Sequence, residues 1–293
     1  MGQPVRAEGF AGMTTRVIIG ASSIRDYQFL APIAAILWRK LIGFEPFLLL
    51  TGDWHANGRG KAALKALKHQ GIHHWGLTGA PEYGEGTMAQ NCRQHAAALD
   101  IWGADDPWLM PSDADLWPIS REFYQQHENS GAKAVCYYAN GDHYQTIPTC
   151  HVAMRASMWR EVYGLRTDVS IESQIVKSVT AWLPHRQFWQ NDPNFALWMS
   201  DQAMMSDKLR AQPWFANPAE SKMVERRGHP PADRIDRGAW PAEYDVTKYT
   251  DAHLLRPADQ PENWPRVRDL LWRIAPDEVE WADRYQQEYV EGY

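Results

Sequence analysis

The chain has 293 residues, a net charge of −6 and an apolar fraction of 44%. That length suits one large α/β domain or two small ones, and a net acidic balance argues against a nucleic-acid binder, which presents a basic surface. No apolar run approaches the ~20 residues of a membrane span; Phe29–Leu41 comes nearest and is interrupted by Trp38-Arg39-Lys40.

In chain order, residues 1–15 read as a loose leader without the apolar core of a signal peptide, which gives a cytoplasmic location as the expectation. Arg16–Ala21 is rich in β-branched residues and predicts a strand, with Ser22–Tyr27 as the loop after it. Phe29–Ile42 is apolar nearly all round, as a helix packed on a sheet would be, and Pro32 sits early in it. Phe47–Leu50 predicts a second buried strand running into Thr51-Gly52-Asp53. Lys61–His69 has helical period, Ile72–Leu77 predicts a third strand, and Thr87–Leu99 another helix. Trp108-Leu109-Met110 is a further buried strand whose end is marked by Pro111 and Ser112.

Beyond it, helices are expected at Ile119–Glu128, Ser157–Tyr163, Ile171–Trp182, Phe195–Leu209, Trp264–Trp272 and Glu278–Tyr289. Strands are expected at Ala134–Tyr138 and His151–Met154, with Asn140-Gly141-Asp142 as a turn. Gln212–Gln260 is rich in Pro, Gly, Arg and Asp and reads as an irregular functional loop or lid. Alternating strands and helices imply a mostly parallel sheet covered on both faces. Ligands of such sheets bind beyond the carboxyl ends of the strands. The scattered Cys92, Cys136 and Cys150 match neither a disulfide framework nor a metal knuckle and read as reduced thiols.

The chemistry gathers at Ser112-Asp113-Ala114-Asp115. In extended chain, residues i and i+2 face one side, so Asp113 and Asp115 would converge, and paired carboxylates there suit Mn2+ or Mg2+ with a substrate diphosphate. The plain alternative is a surface turn. His253, in Asp251-Ala252-His253, would be a third ligand, and Arg256 beside it would meet a diphosphate. Arg93 aims at a nucleotide or lies on a solvated helix face. Asp201-Gln202 would position a sugar hydroxyl or steady a developing positive charge, or is an ordinary polar helix turn, which the residues alone favour. Two cationic runs, Arg226-Arg227-Gly228-His229 and Arg234-Ile235-Asp236-Arg237, complement a diphosphate or are solvated loop, and Asp142-His143 reads as a turn or an acceptor contact. The tryptophans, Trp198 among them, are core by default, with sugar stacking as the alternative. Gly-x-Gly-x-x-Gly and Gly-Lys-Ser/Thr signatures are absent after the first strand.

Taken in order, the Val17–Ser22 segment, Asp53, Arg93, Ser112–Asp115, Ser200-Asp201-Gln202 and Asp251–His253 resemble a GT-A fold, nucleotide-sugar-dependent glycosyltransferase. The layout is most similar to the retaining galactosyl- and glucosyltransferases with an Asp-x-Asp motif. The resemblance implies a mostly parallel α/β sheet flanked by helices, in one catalytic domain over residues 16–293. Residues 16–118 would bind nucleotide, 119–260 would bind acceptor and form a lid, and 261–293 would close the fold. Asp113, Asp115 and His253 would hold Mn2+ (or Mg2+). Ala21, Ser22, Ser23, Asp53, Arg93, Ser112, Asp113, Ala114 and Arg256 would contact a nucleotide-sugar, a UDP-sugar ahead of a GDP-sugar. Asp201 and Gln202 would lie at the anomeric carbon, and a carbohydrate acceptor would receive the sugar with retention, as in polysaccharide biosynthesis. The His-x-Gly-x-x-Lys-Pro-Trp ending of that family is replaced here by Asp251–Pro257. The rivals are a sugar-phosphate nucleotidyltransferase and a non-catalytic carbohydrate-binding protein.

Overall fold

The computed structural model describes residues 15–78, 83–138, 146–185, 197–226, 228 and 230–292. Nearly all of the expected leader, the turn at residues 140–142, Asp142-His143, Arg227 and His229 lie outside them. Four parallel strands come first: β1 (Thr15–Ser22), β2 (Glu45–Thr51), β3 (His73–Leu77) and β4 (Trp108–Asp113). The helices α1 (Arg25–Leu37), α2 (Gly58–His69) and α3 (Gly84–His95) cross between them. The sheet order, 3-2-1-4 and then β7 (Val152–Arg155), β6 (Ala134–Cys136) and β8 (Ser221–Met223), gives seven strands. Only β7 runs against the rest. The expected mixed, mostly parallel α/β sheet is thus present.

Alternation along the central strands explains why both faces are covered. Val17, Ile19, Leu48 and Leu50 enter one apolar core with α1 and α2, while Ile18, Phe47 and Leu49 enter a second core with α3. Helices α5 (Ala156–Tyr163), α6 (Ile171–Trp182) and α7 (Ser200–Arg210) complete the second layer. Helices α8 (Trp264–Ile274) and α9 (Val279–Glu291) complete the first. Crossovers after β1 and β2 lie on one face and α3 on the other. The β1–β4 boundary is therefore the point where strand order reverses, and a crevice opens there at the carboxyl ends.

Several boundaries differ from the sequence expectation. Helix α1 starts at Arg25, so Pro32 stands in its interior, where a proline leaves the carbonyl four residues back without its helical donor. The Tyr285 hydroxyl donates to that carbonyl, Gln28 O, at 3.1 Å. Strand β4 runs through Pro111 to Asp113; by then the β7 pairing, which covers Trp108 and Leu109, has ended, so no ladder donor is lost on that side. The helix expected at 119–128 shrinks to one turn, α4 (Arg121–Tyr124), because the His127 backbone N–H goes to the Tyr137 hydroxyl at 2.9 Å. Residues 212–260 are not irregular throughout. They supply β8 and two strands of a second sheet, ordered β5 (Leu116–Pro118), β10 (Asp251–His253), β9 (Arg234–Asp236).

Candidate active site

At the β1–β4 crevice lies a cavity of about 210 Å³. Its floor is set by a glycine. A Cβ on Gly20 would stand 1.9 Å from the Ala89 carbonyl oxygen, so only glycine lets α3 cross β1 this closely. That crossing carries Arg93 under the end of β4. Its guanidinium donates from Nη1 to Asp113 and from Nη2 to Asp201 at 2.8 Å, bridging the strand end to α7. Burial works against the charge on Arg93, but the two carboxylates outweigh it and strengthen its hold on the proton. Burial pushes the Asp201 carboxyl up, and Arg93 opposes this without cancelling it. Both Asp201 oxygens are engaged, Oδ1 by the Gln202 backbone N–H at 2.7 Å. The Gln202 side chain faces the cavity with a single weak contact, 3.9 Å to the Met199 sulfur.

The opposite wall is cationic and comes from the second sheet. Asp115 does not follow Asp113 along an extended strand; Ala114 and Asp115 form the turn from β4 into β5, and that turn brings both carboxylates to one cavity. Asp115 Oδ2 accepts from Arg237 Nη1 at 2.8 Å and lies 3.4 Å from both Arg256 Nε and His253 Nε2. Burial alone would raise the Asp115 carboxyl, yet the hydrogen bond and charge of His253, with Arg256 and Arg237, hold it well below the usual carboxylate range. His253 lies between two carboxylates, its Nδ1 being 3.2 Å from Asp236 Oδ2. Burial lowers its pKa, and the bonds to Asp115 and Asp236 override this and raise it to about 9.

Behind this wall the second sheet has an ionic centre. Asp251, with no exposed surface, accepts from Arg226 Nη1 at 2.6 Å, from Arg234 Nε at 2.7 Å and from the Tyr124 hydroxyl at 2.9 Å. The two guanidinium groups outweigh burial and depress its proton affinity. This cluster fixes β9 against β10, and so fixes Arg237, which follows β9, relative to His253 at the end of β10.

Does this set fit a divalent cation? The three expected ligands line one cavity, but each aspartate already has one oxygen tied to cations and His253 bridges two carboxylates. Asp113 is paired with Arg93, and three cationic groups crowd one oxygen of Asp115. His253 is held between the Asp115 and Asp236 carboxylates, which favour its charged form, so a metal there would have to displace its proton. Among the described residues no group of three His, Cys, Asp or Glu side chains is assembled for a metal. As disposed, the residues do not fit Mn2+ or Mg2+.

Of the residues expected from the sequence, the cavity brings together Ser22, Arg93, Asp113, Ala114, Asp115, Asp201, Gln202, His253 and Arg256. It does not bring Ala21, Ser23, Asp53 or Ser112. Ala21 is packed in the first core. Ser23 is held by Glu85, to which its backbone N–H donates at 3.2 Å and its hydroxyl more closely. Asp53 is exposed and accepts from the His55 N–H in a local turn. The Ser112 hydroxyl points into the core, taking the Trp38 indole N–H at 3.2 Å.

Sequence reasoning missed Gln90, a cavity-lining residue whose Oε1, like Ser22 Oγ, is buried without a hydrogen-bond partner. Helical spacing from Arg93 was the signal available, since residues three apart share a face. Arg237 had been seen only within a cationic run. Trp198, 45% exposed, sits on the rim rather than in the core. Cys92, Cys136 and Cys150 are free thiols. Among the described residues no helix is long and apolar enough to cross a membrane.

No family model matches the sequence, and no curated protein sequence matches it. Among solved structures, the chain is similar to the galactosyltransferase LgtC in complex with donor and acceptor sugar analogues: 10% identity, 94% of this chain, 95% of that one, TM-score 0.48. It is also similar to the glycosyltransferase GlyE of Streptococcus pneumoniae TIGR4, at 10% identity and TM-score 0.48, over 95% of this chain and 63% of that one.

Proposed function

We propose that this protein is a glycosyltransferase that moves a sugar from a nucleotide-sugar to a carbohydrate acceptor in the cytoplasm, with retention of configuration. One observation carries the reading: a cationic wall of Arg237, Arg256 and His253 faces the buried carboxylate of Asp201 and the half-buried amide of Gln202 across one cavity at the strand-order switch point. A nucleotide-sugar has that polarity. Its diphosphate needs cations, and the sugar carbon that loses the diphosphate develops positive charge. Ser22 and Gln90 line the same cavity, on the side of Arg93. Trp198 at the rim offers a flat apolar face to an acceptor sugar. The motif order makes a UDP-sugar the first donor to test and GDP-sugars the second.

What Asp201 lacks supports retention. With both oxygens engaged it is a poor nucleophile and a poor general base. In front-face departure the bond from the anomeric carbon to the phosphate oxygen breaks, and a bond to the acceptor oxygen forms on the same face. The acceptor proton passes to the departing phosphate, while the Gln202 carbonyl steadies the oxocarbenium-like centre. A nucleotidyltransferase would want a basic glycine-rich loop after β1, and here that loop is tied down by Glu85.

The test is a screen of nucleotide-sugars for turnover, with the anomer of the transferred or hydrolysed sugar read by NMR. One UDP-sugar should turn over with its anomeric configuration kept. Gln202→Ala should cut kcat by roughly 10²-fold with little change in donor affinity. An inverted product would remove the front-face route. Absence of both nucleotide binding and turnover would remove the whole reading.

A further inference from the structure

The cavity holds more positive charge at Asp115 than one carboxylate needs. Arg237 and Arg256 both reach the same oxygen, Oδ2, while their side chains remain 31% and 24% exposed and Asp115 itself only 6%. The cations, rather than the carboxylate, are thus the groups a ligand in the cavity meets. Arg256 is preorganised: its Nη1 donates to the Tyr27 hydroxyl at 2.6 Å, and its guanidinium lies 5.4 Å from the centre of that ring. Arg237 opens a 3-10 turn, Arg237–Ala239, whose start is capped by Asp236 accepting the Gly238 N–H at 2.8 Å. Both heads are held for an anion, and guanidinium forks match phosphate oxygens in pairs. A divalent cation placed among them would meet two like charges within a few ångströms, a repulsion that a partly buried site screens poorly.

Building on the nucleotide-sugar reading above, we infer that Arg237 and Arg256 do the work of a divalent cation at the donor diphosphate, with Asp115 their resident counter-ion until the donor arrives. An incoming diphosphate exchanges with Asp115 for the two guanidinium groups. Asp115 keeps its contact with His253 on the other side of the exchange. The role of Asp115 is therefore opposite in sign to that of a metal ligand. A ligand carboxylate helps the diphosphate bind; a counter-ion competes with it.

The experiment is calorimetry with two probes, UDP and inorganic diphosphate, each in EDTA and in Mn2+, with thermal melts to confirm folding of every variant. In EDTA both probes should bind the wild type, within about threefold of their affinity in Mn2+, since the charges that hold them are already present. Arg237→Gln and Arg256→Gln should each weaken binding about tenfold or more, as lost charge-assisted bonds do, and Arg237→Lys should fall between. Asp115→Asn should bind as tightly as wild type or more tightly. Binding that appears only with Mn2+ and vanishes in Asp115→Asn would overturn the inference, as would failure of inorganic diphosphate to bind in EDTA. The two readings fail separately. Arginine-dependent diphosphate binding without nucleotide-sugar turnover leaves the clamp standing and removes the transferase; turnover that requires Mn2+ does the reverse.

Discussion

The two sheets of this protein are held together by different physics. The seven-stranded sheet is apolar on both faces, and its strands interlock through side chains such as Val17, Ile18, Leu48 and Leu49. The three-stranded sheet, whose strands are three residues each, closes around Asp251 and two arginines. An apolar core fails gradually, in proportion to the volume removed. An ionic centre that buries one carboxylate under two cations fails abruptly when one partner is removed, because the remaining charges are left desolvated. The large sheet thus yields by degrees, while the small one, which places the cationic wall, depends on single partners.

Acid should break the molecule most severely, and it strikes both sheets. Burial lowers the pKa of His95 and His127 to about 4 and that of His151 to about 3. The folded state keeps these rings neutral while the unfolded chain takes up protons near 6.5. Stability should therefore fall as pH drops from about 6.5 through 4, by on the order of several kcal/mol in sum. Asp251 behaves in the other sense: its depressed proton affinity means its contribution is whole above about pH 4 and is lost only below that. Urea unfolding in steps from pH 7.5 to about 3 checks the sequence of events, and a flat profile between about 6.5 and 4 would contradict it.

Asp251→Ala comes next. It should cost roughly 3–5 kcal/mol and remove donor affinity with it, whereas Ile19→Val in the large sheet should cost about 1 kcal/mol and leave binding intact. Paired denaturation and UDP titrations of the two variants would sharpen the contrast; equal costs would erase it. Gly20→Ala is the most local, and its cost falls between the other two. Its new methyl collides with the Ala89 carbonyl, so α3 must shift, at about 1–3 kcal/mol, and Arg93 shifts with it. Loss of UDP binding with a modest fall in melting temperature is the expected pattern.

The same contrast explains what the sequence made legible. Each long apolar strand of the large sheet and each helix packed on it could be read from period and composition, because burial on both faces writes itself as continuous Val, Ile and Leu. The second sheet could not be read: three-residue strands show no period, and Asp251 and Arg234 look like solvent-facing residues until they meet. The site divided in the same way. Asp113, Arg93, Asp201 and Gln202, placed by long elements, were found as an ordered set. Arg237, placed by the small sheet, remained one cation in a run of several. The convergence of Asp113 and Asp115 was expected for the wrong local reason, a strand where the chain makes a turn.

Pro32 leaves α1 with an open carbonyl, and the hydroxyl that closes it belongs to Tyr285, 257 positions along the chain. Tyr289 adds a second bond from the same helix, to Arg25 O. Helix α1 completes its hydrogen bonding only when α9 is docked against it. The helix that borders the cavity through Tyr27 is thus tied to the far end of the chain, and removing the Tyr285 hydroxyl would reopen its carbonyl to water.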